Sequence, residues 1–418
     1  MKQLAKYAFF FLAGWCSIGT LAAQDVKTDA DIDLPEGMVL PMDSLLSEWI
    51  TQTHVTTNTD CQSLDVNPVF PDSVYIERLS RIPAIMEMPY NDIVRRYIDA
   101  YTVRMRDKVS LMLAASNFYI PIFEQALDAY DLPLELRYLP IIESALNPTA
   151  VSRARAVGLW QFMLATGKIY GLEVNTLVDE RRDPIKSSYA AARHLKSLYA
   201  IYQDWTLVIA AYNCGAGNVN KAVRRAGGKT DYWAIYNYLP RETRGYVPAF
   251  IAANYVMNYY CEHGICPMNV SLPADTDTIH VNQRVHFQQI AAYCNISIEQ
   301  LRSLNPEFKQ DIVPGNVHTY ALRLPLNSLA SFIDKQDSIY VYRADQLFKN
   351  RRTVAAASTP ARTQAKAGTG ERIRYRIRSG DTLSGIAERH GVSIANLRSW
   401  NGITGSRITA GKYLDIYK

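Results

Sequence analysis

The sequence predicts a mainly α protein that ends in small βααβ units. Between about residues 90 and 265, apolar side chains recur at helical spacing. After Pro267 the pattern changes to short strands flanking pairs of short helices, and it does so twice. The chain has 418 residues, 48% of them hydrophobic, which is enough for a substantial core and too long for one typical domain.

The N-terminus is read first as a targeting segment. Lys2 and Lys6 give a cationic start, residues 7–18 are mainly apolar, and Thr20-Leu21-Ala22-Ala23-Gln24 offers small residues for cleavage. A signal peptide over 1–23 is expected, with the mature chain in the periplasm. Cys16 raises lipidation as a second route, but the bulky Trp15 precedes it where such signals want a small residue. Association with the wall or an outer membrane stays open. No later stretch is long and apolar enough to span a bilayer.

A formal charge of +5 is compatible with an anionic polymer and specifies nothing more. No basic run interleaves with aromatics, so no nucleic-acid partner is expected. Cys61, Cys214, Cys261, Cys266 and Cys294 would remain after signal cleavage. This odd number leaves at least one thiol free or paired between chains, and Cys261 and Cys266 are spaced for a small loop. His263 alone does not complete a metal set, so neither metal nor cofactor is expected.

Residues 24–89 are acidic at first and rich in turn formers at 35–38 and 67–73. They read as an arm or scaffold packed on the helical block. Helices are then expected over 93–101, 118–130, 134–146, 184–199, 205–212 and 248–260, within a block spanning 90–265. A short strand at 281–285, helices at 287–294 and 298–304, and a closing strand at 320–325 form a unit over 281–325. The tail, 374–418, repeats this with strands at 375–378 and 412–417 around helices at 382–390 and 393–400. I-S-I-E-Q-L-R-S-L-N at 296–305 aligns without gaps on V-S-I-A-N-L-R-S-W-N at 392–401, and Gly315 falls on Gly411 at the same offset. Residues 354–371, rich in Ala, Thr, Arg and Gly, have little to bury and read as a flexible linker.

Within the helical block, Glu143 ends the mostly apolar stretch L-P-I-I-E-S-A-L. Desolvation disfavours a charged carboxylate, so such a group can stay protonated near neutral pH and donate its proton. The plain alternative is a surface glutamate at a helix end. Ser144 can support the carboxyl or its loop. In G-L-W-Q at 158–161, Trp160 can stack on a sugar or fill the core, and Gln161 offers both donor and acceptor. Asn213, in A-Y-N-C-G, can present an amide or simply cap its helix. Tyr246 can bond to Glu143 or the substrate, but it is one of 27 tyrosines. Asp179-Glu180-Arg181-Arg182-Asp183 reads as an ion-paired structural loop. A glycosidase ordinarily uses two carboxylates, and no second one has a comparable local setting; Glu135 is the candidate to share the face of Glu143.

This ordered set resembles the soluble-lytic-transglycosylase-like family, and within it the membrane-bound lytic murein transglycosylase D group. The motifs are Glu143-Ser144, Gly158-Leu159-Trp160-Gln161-Phe162-Met163, Ala211-Tyr212-Asn213-Cys214-Gly215, and Glu242-Thr243 with Tyr246-Val247-Pro248. The resemblance implies a goose-lysozyme-like catalytic domain and peptidoglycan glycan strands as the partner. It implies that Glu143 is the only catalytic carboxyl, cleaving the MurNAc–GlcNAc β-1,4 bond without water to leave a 1,6-anhydro ring. Ser144, Gln161, Asn213 and Tyr246 are implied as supporting, binding and orienting residues. A muramidase that hydrolyses the same bond, or an inactive wall-binding scaffold, are the alternatives. The tail resembles a LysM module, which implies glycan binding with Gly380, Asp381, Thr382, Leu383 and Asn401 shaping its loops. The 281–325 unit looks like a degenerate copy without Gly-Asp-Thr-Leu, leaving glycan binding or packing on the helical block as its role.

Overall fold

The computed structural model describes residues 32–42, 56–57, 63–64, 66–269, 276–348, 372–378, 381–401, 403 and 408–417. The expected signal peptide, the 354–371 linker, Cys16, Cys61, Ser379 and Gly380 lie outside the described residues. The chain divides into a large unit running to Arg343 and a small one holding residues 344–418.

One continuous apolar core fills the helical block of the large unit, with Trp160, Phe123, Tyr119, Tyr246 and Phe250 among its members. The arm takes part in it. Met38, Tyr75, Leu79 and Met86 are buried in the same cluster. Helix Asp72–Arg81 starts directly after Pro71, where the turn-forming stretch ends. Helix Asp92–Asp99 is capped by Asn91, whose side chain accepts from the backbone N–H groups of Ile93 and Val94. Helix Pro184–Tyr202 is capped in the same way by Asp183, with Pro184 in its first turn.

Three helices differ from the sequence reading. The segment expected over 118–130 belongs to a 23-residue helix, Arg106–Asp128. The segment expected over 134–146 divides into a 3-10 turn, Leu134–Tyr138, and a short helix, Leu139–Ser144. Pro140 explains the division, because it has no N–H to continue a helix from 134 but suits a first turn. The last helix begins at Arg241, not Pro248, and runs to Tyr259. Pro248 leaves the carbonyl of Arg244 without its helical donor, and the Tyr232 hydroxyl supplies one at 2.8 Å.

Residues 276–341 form a βααβ unit with two further helices, Leu326–Asp334 and Gln336–Val341. The strand expected at 281–285 is two strands, Thr276–Val281 and Arg284–His286, broken at Asn282-Gln283. Thr276–Val281 pairs antiparallel with Tyr320–Pro325, from Thr276 opposite Pro325 to Val281 opposite Tyr320. Arg284–His286 pairs with Ile312–Pro314. The unit is joined to the helical block. Val178 bridges Phe308, Asp179 N–H donates to the Glu307 carbonyl at 2.9 Å, and Glu173 accepts from the Tyr320 hydroxyl.

In the small unit, strands Arg372–Arg376 and Tyr413–Tyr417 pair around helices Leu383–His390 and Ile394–Asn401. Leu383, Ile386, Leu397, Leu414 and Ile416 form its core.

Cys266 is disulfide-bonded, whereas Cys214, Cys261 and Cys294 are free thiols. The small Cys261–Cys266 loop is therefore not formed. His263 is a buried core residue held by Tyr255 and Asn67, and burial pushes its pKa down to about 3. No described helix is long and apolar enough to cross a membrane.

Candidate active site

Helix Leu139–Ser144 ends abruptly, and that ending presents Glu143. Ala145 and Leu146 both adopt left-handed backbone angles, with φ of 50° and 62°. Two consecutive non-glycine residues in that region are a costly arrangement that the surroundings must impose. Asn147 closes the turn, its N–H donating to Ser144 and its side chain accepting from Thr149. The Ser144 hydroxyl donates to Pro140 within its helix and to Leu159 across to the next motif. Ser144 thus supports the loop and not the carboxyl itself.

Gly158 permits that loop to pass behind the site. Its φ is 89°, and a Cβ there would collide with the Arg181 carbonyl. Arg181 holds the loop from behind. Its guanidinium forks onto Asp179 and donates to the carbonyl of Phe162, so the acidic–basic segment is structural, as its sequence suggested. Trp160 is fully buried, its indole N–H donating to Ser188 and its ring set edge-on to Phe123. It belongs to the core, and sugar stacking is excluded in this arrangement. Gln161 is half-buried with φ 47°, and its amide donates to the Gly158 carbonyl at 2.8 Å.

Glu143 is half-buried, and its Oε1 accepts a hydrogen bond from the Tyr246 hydroxyl. Burial pushes its pKa up to about 8; the Tyr246 hydrogen bond opposes this, while the charges of Glu242 and Glu36 add to it. Tyr246 is buried on helix Arg241–Tyr259. Tyr212 comes from another helix, Trp205–Cys214. Its hydroxyl donates to the Trp160 carbonyl at 2.8 Å, and the field of Glu143 contributes to raising its pKa. Asn213, one residue on, accepts from the Thr243 hydroxyl through Oδ1 at 2.8 Å. The structure therefore ties Glu143 to Tyr246, Ser144 to the Gly158–Gln161 loop, and Asn213 to the helix of Tyr246.

Glu135 does not serve as a second acid in this geometry. It is buried in the 3-10 turn, and its Oε1 accepts from the Met86 N–H at 2.7 Å. Cys214 is no nucleophile candidate either, because burial raises its thiol pKa.

Sequence reasoning missed several neighbours. Tyr212 and Thr243 lie inside motifs that stand out for other residues. His194 packs against Tyr212 and Phe162, meets the Tyr170 hydroxyl at 3.0 Å, and is kept neutral by burial, with a pKa of about 4. Glu36 and Gly37 carry no local signal beyond a turn.

In the small unit the Asp381 carboxylate accepts from the Arg378 N–H, the Tyr375 hydroxyl and Arg389, which hold its pKa down to about 2. Thr382 caps the following helix and Leu383 is buried in the core. Asn401 donates to the carbonyls of Leu397 and Asp415 and accepts from the Asp415 N–H. Asn305 makes the same three bonds to Leu301 and Arg323. These residues build the two units, and the side chain of Asn401 is occupied by backbone.

Three stretches of the chain match known families. Residues 121–235 match the Transglycosylase SLT domain. Residues 275–341 match the LysM-like domain of lytic transglycosylase MltD, and residues 375–416 match the LysM domain. The chain is 31% identical over 335 residues to membrane-bound lytic murein transglycosylase D of Escherichia coli K12, covering 79% of this chain and 70% of that protein. It is 36% identical over 123 residues to peptidoglycan transglycosylase gp16 of phage T7, covering 28% of this chain and 9% of that one. The 70 kDa soluble lytic transglycosylase of Escherichia coli is similar in structure over 34% of this chain and 24% of its own, at 26% identity, with a TM-score of 0.30 that is too low to bear on the fold. With that identity to transglycosylase D over more than two thirds of both chains, the chain belongs to the lytic murein transglycosylase D family.

Proposed function

We propose that Glu143 is the single acid and base of this lytic transglycosylase, acting on peptidoglycan. The observation that carries the proposal is a half-buried carboxyl with its pKa lifted to about 8 and its Oε1 held by Tyr246. At neutral pH most of this group holds its proton, which suits donation to a leaving oxygen.

In the first step the Glu143 proton passes to the glycosidic oxygen between MurNAc and GlcNAc, and the bond from that oxygen to C1 of MurNAc breaks. The GlcNAc portion leaves with a hydroxyl. Glu143, now ionised, takes the proton from the C6 hydroxyl of the same MurNAc. That oxygen closes on C1, forms the 1,6-anhydro ring and returns Glu143 to its starting state. The nucleophile is part of the substrate, so the reaction has an intramolecular advantage and needs no second carboxylate to activate water. The engagement of Glu135 with Met86 fits this account.

Asn213 offers its NH2 to the substrate once Oδ1 is taken by Thr243. Gln161, whose NH2 donates to the carbonyls of Gly158 and Ala150, contacts sugar hydroxyl or acetamide groups through its Oε1. Ser144 fixes the loop between them, and Tyr246 orients Glu143. The terminal module holds GlcNAc-containing chains, with Asp381, Thr382 and Leu383 shaping its site. The enzyme works in the periplasm after export by its N-terminal segment, with attachment to the outer membrane as a second mode of residence.

The test is release of soluble muropeptides from purified peptidoglycan. Glu143→Gln keeps the shape and removes the transferable proton, so release should stop while the fold remains. Wild-type release by the variant would sink the assignment.

A further inference from the structure

The arm contributes more than packing. Residues Glu36–Val39 form a 3-10 turn whose Gly37 rests on the backbone of the helix that carries Glu143. A Cβ on Gly37 would lie 2.5 Å from the Glu143 carbonyl carbon and 2.6 Å from the carbonyl oxygens of Glu143 and Ile142. No real side chain tolerates such contacts, so even a methyl group must push the two segments apart. Asp33 makes a similar approach to the other partner. Its carbonyl accepts from the Tyr97 hydroxyl at 2.6 Å, and a Cβ on Gly245 would strike both groups. Gly245 directly precedes Tyr246. The side chain of Asp33 pairs with Arg241 at 2.7 Å at the start of the same helix. Glu36 reaches a third element, accepting through Oε1 from the Arg153 N–H at 2.8 Å in the loop that leads to Gly158.

We infer that the 33–38 arm is a wall of the active site, with Gly37 and Glu36 acting as positioning residues for Glu143. The inference rests on Glu143 being the acid. The arm meets the backbone of Glu143, the neighbour of Tyr246 and the approach to Gln161, so its placement sets the geometry of all three. Glu36 also acts through charge. The titratable groups interacting with Glu143 are Tyr246 and Glu242 from helix Arg241–Tyr259, Tyr212 from helix Trp205–Cys214, and Glu36 from the arm. The negative charge of Glu36 disfavours ionisation of Glu143 and helps to keep its proton in place.

The experiment uses the full chain with soluble peptidoglycan fragments and measures kcat and KM across pH. Glu36→Gln keeps an acceptor for Arg153 and removes the charge. Its alkaline limb of kcat should move to lower pH, a change that a purely structural role would not produce. Gly37→Ala should lower kcat by roughly 10- to 100-fold, with a much smaller effect on KM, because it shifts the acid by a fraction of its reach. Glu143→Gln is run beside them. An inactive Glu143→Gln together with an unmoved limb in Glu36→Gln overturns the role of the arm alone. An active Glu143→Gln overturns the acid assignment itself. If Gly37→Ala does not fold, the pH profile of Glu36→Gln decides the question.

Discussion

The Tyr246 hydroxyl donates to Glu143 Oε1 across 103 positions of sequence. The bond opposes the effect of burial on the carboxyl, because a hydrogen bond to the charged form favours that form. It also fixes which way the carboxyl faces.

Tyr246→Phe therefore has two expected effects. The alkaline limb of the kcat profile should move to higher pH, opposite to the shift expected for Glu36→Gln. Turnover at the optimum should fall by roughly 10- to 100-fold as the carboxyl loses its orientation. A full pH profile of the purified variant checks both, and a shift to lower pH would contradict this role for Tyr246.

Glu143 should also cost stability where it supports activity. A carboxyl whose folded pKa is raised binds its proton more tightly in the folded state. That contribution is complete below the ordinary value of 4.5 and is lost as pH rises through about 8. Glu143→Gln has no such loss. Its Tm relative to wild type should therefore climb between these pH values, by on the order of 2–4 °C if the partly exposed carboxyl costs about 1 kcal/mol. Calorimetry of the two proteins over that range is the measurement, and a constant difference in Tm would count against the raised pKa.

Much of this site is legible in the sequence because each motif marks a local break that needs special residues. Gly158 must be glycine at φ 89° beside Arg181, and Asn213 stands where an apolar helix stops. The repeat was legible for the same reason, since Asn305 and Asn401 each clasp a closing strand. The arm was not legible. Gly37 matters only because Glu143 lies against it, and a contact between positions so far apart leaves no periodic pattern. The helix start at Arg241 was hidden by Pro248, whose cost is met by Tyr232, a residue outside the helix. The motif left Trp160 open to a sugar or to the core, and the core place is settled by burial, a property of the packed structure and not of the motif.

The Asn401 clasp yields a separate prediction. Asn401→Ala removes three hydrogen bonds and leaves backbone groups of Asp415 and Leu397 to find other partners. A loss of about 2–4 kcal/mol in the stability of the small unit is expected. Hydrogen exchange on the full chain should show faster exchange over strand Tyr413–Tyr417. Unchanged protection there would mean the clasp is dispensable.

Holding of the polymer by the tail can be tested by removing residues 355–418. The truncated protein should bind insoluble sacculi more weakly in a pull-down, because the tail no longer raises the local concentration of substrate. Equal binding by both forms would count against a glycan-holding tail.

The chemical account stands or falls on the ends of the products. Purified protein would be incubated with peptidoglycan and the released muropeptides analysed by mass spectrometry, with Glu143→Gln as the control. One acid and a nucleophile supplied by the substrate predict 1,6-anhydro-MurNAc ends that appear with the wild type and vanish with the variant. Reducing MurNAc ends, each heavier by one water, would show that water is the nucleophile and would contradict the single-carboxylate mechanism.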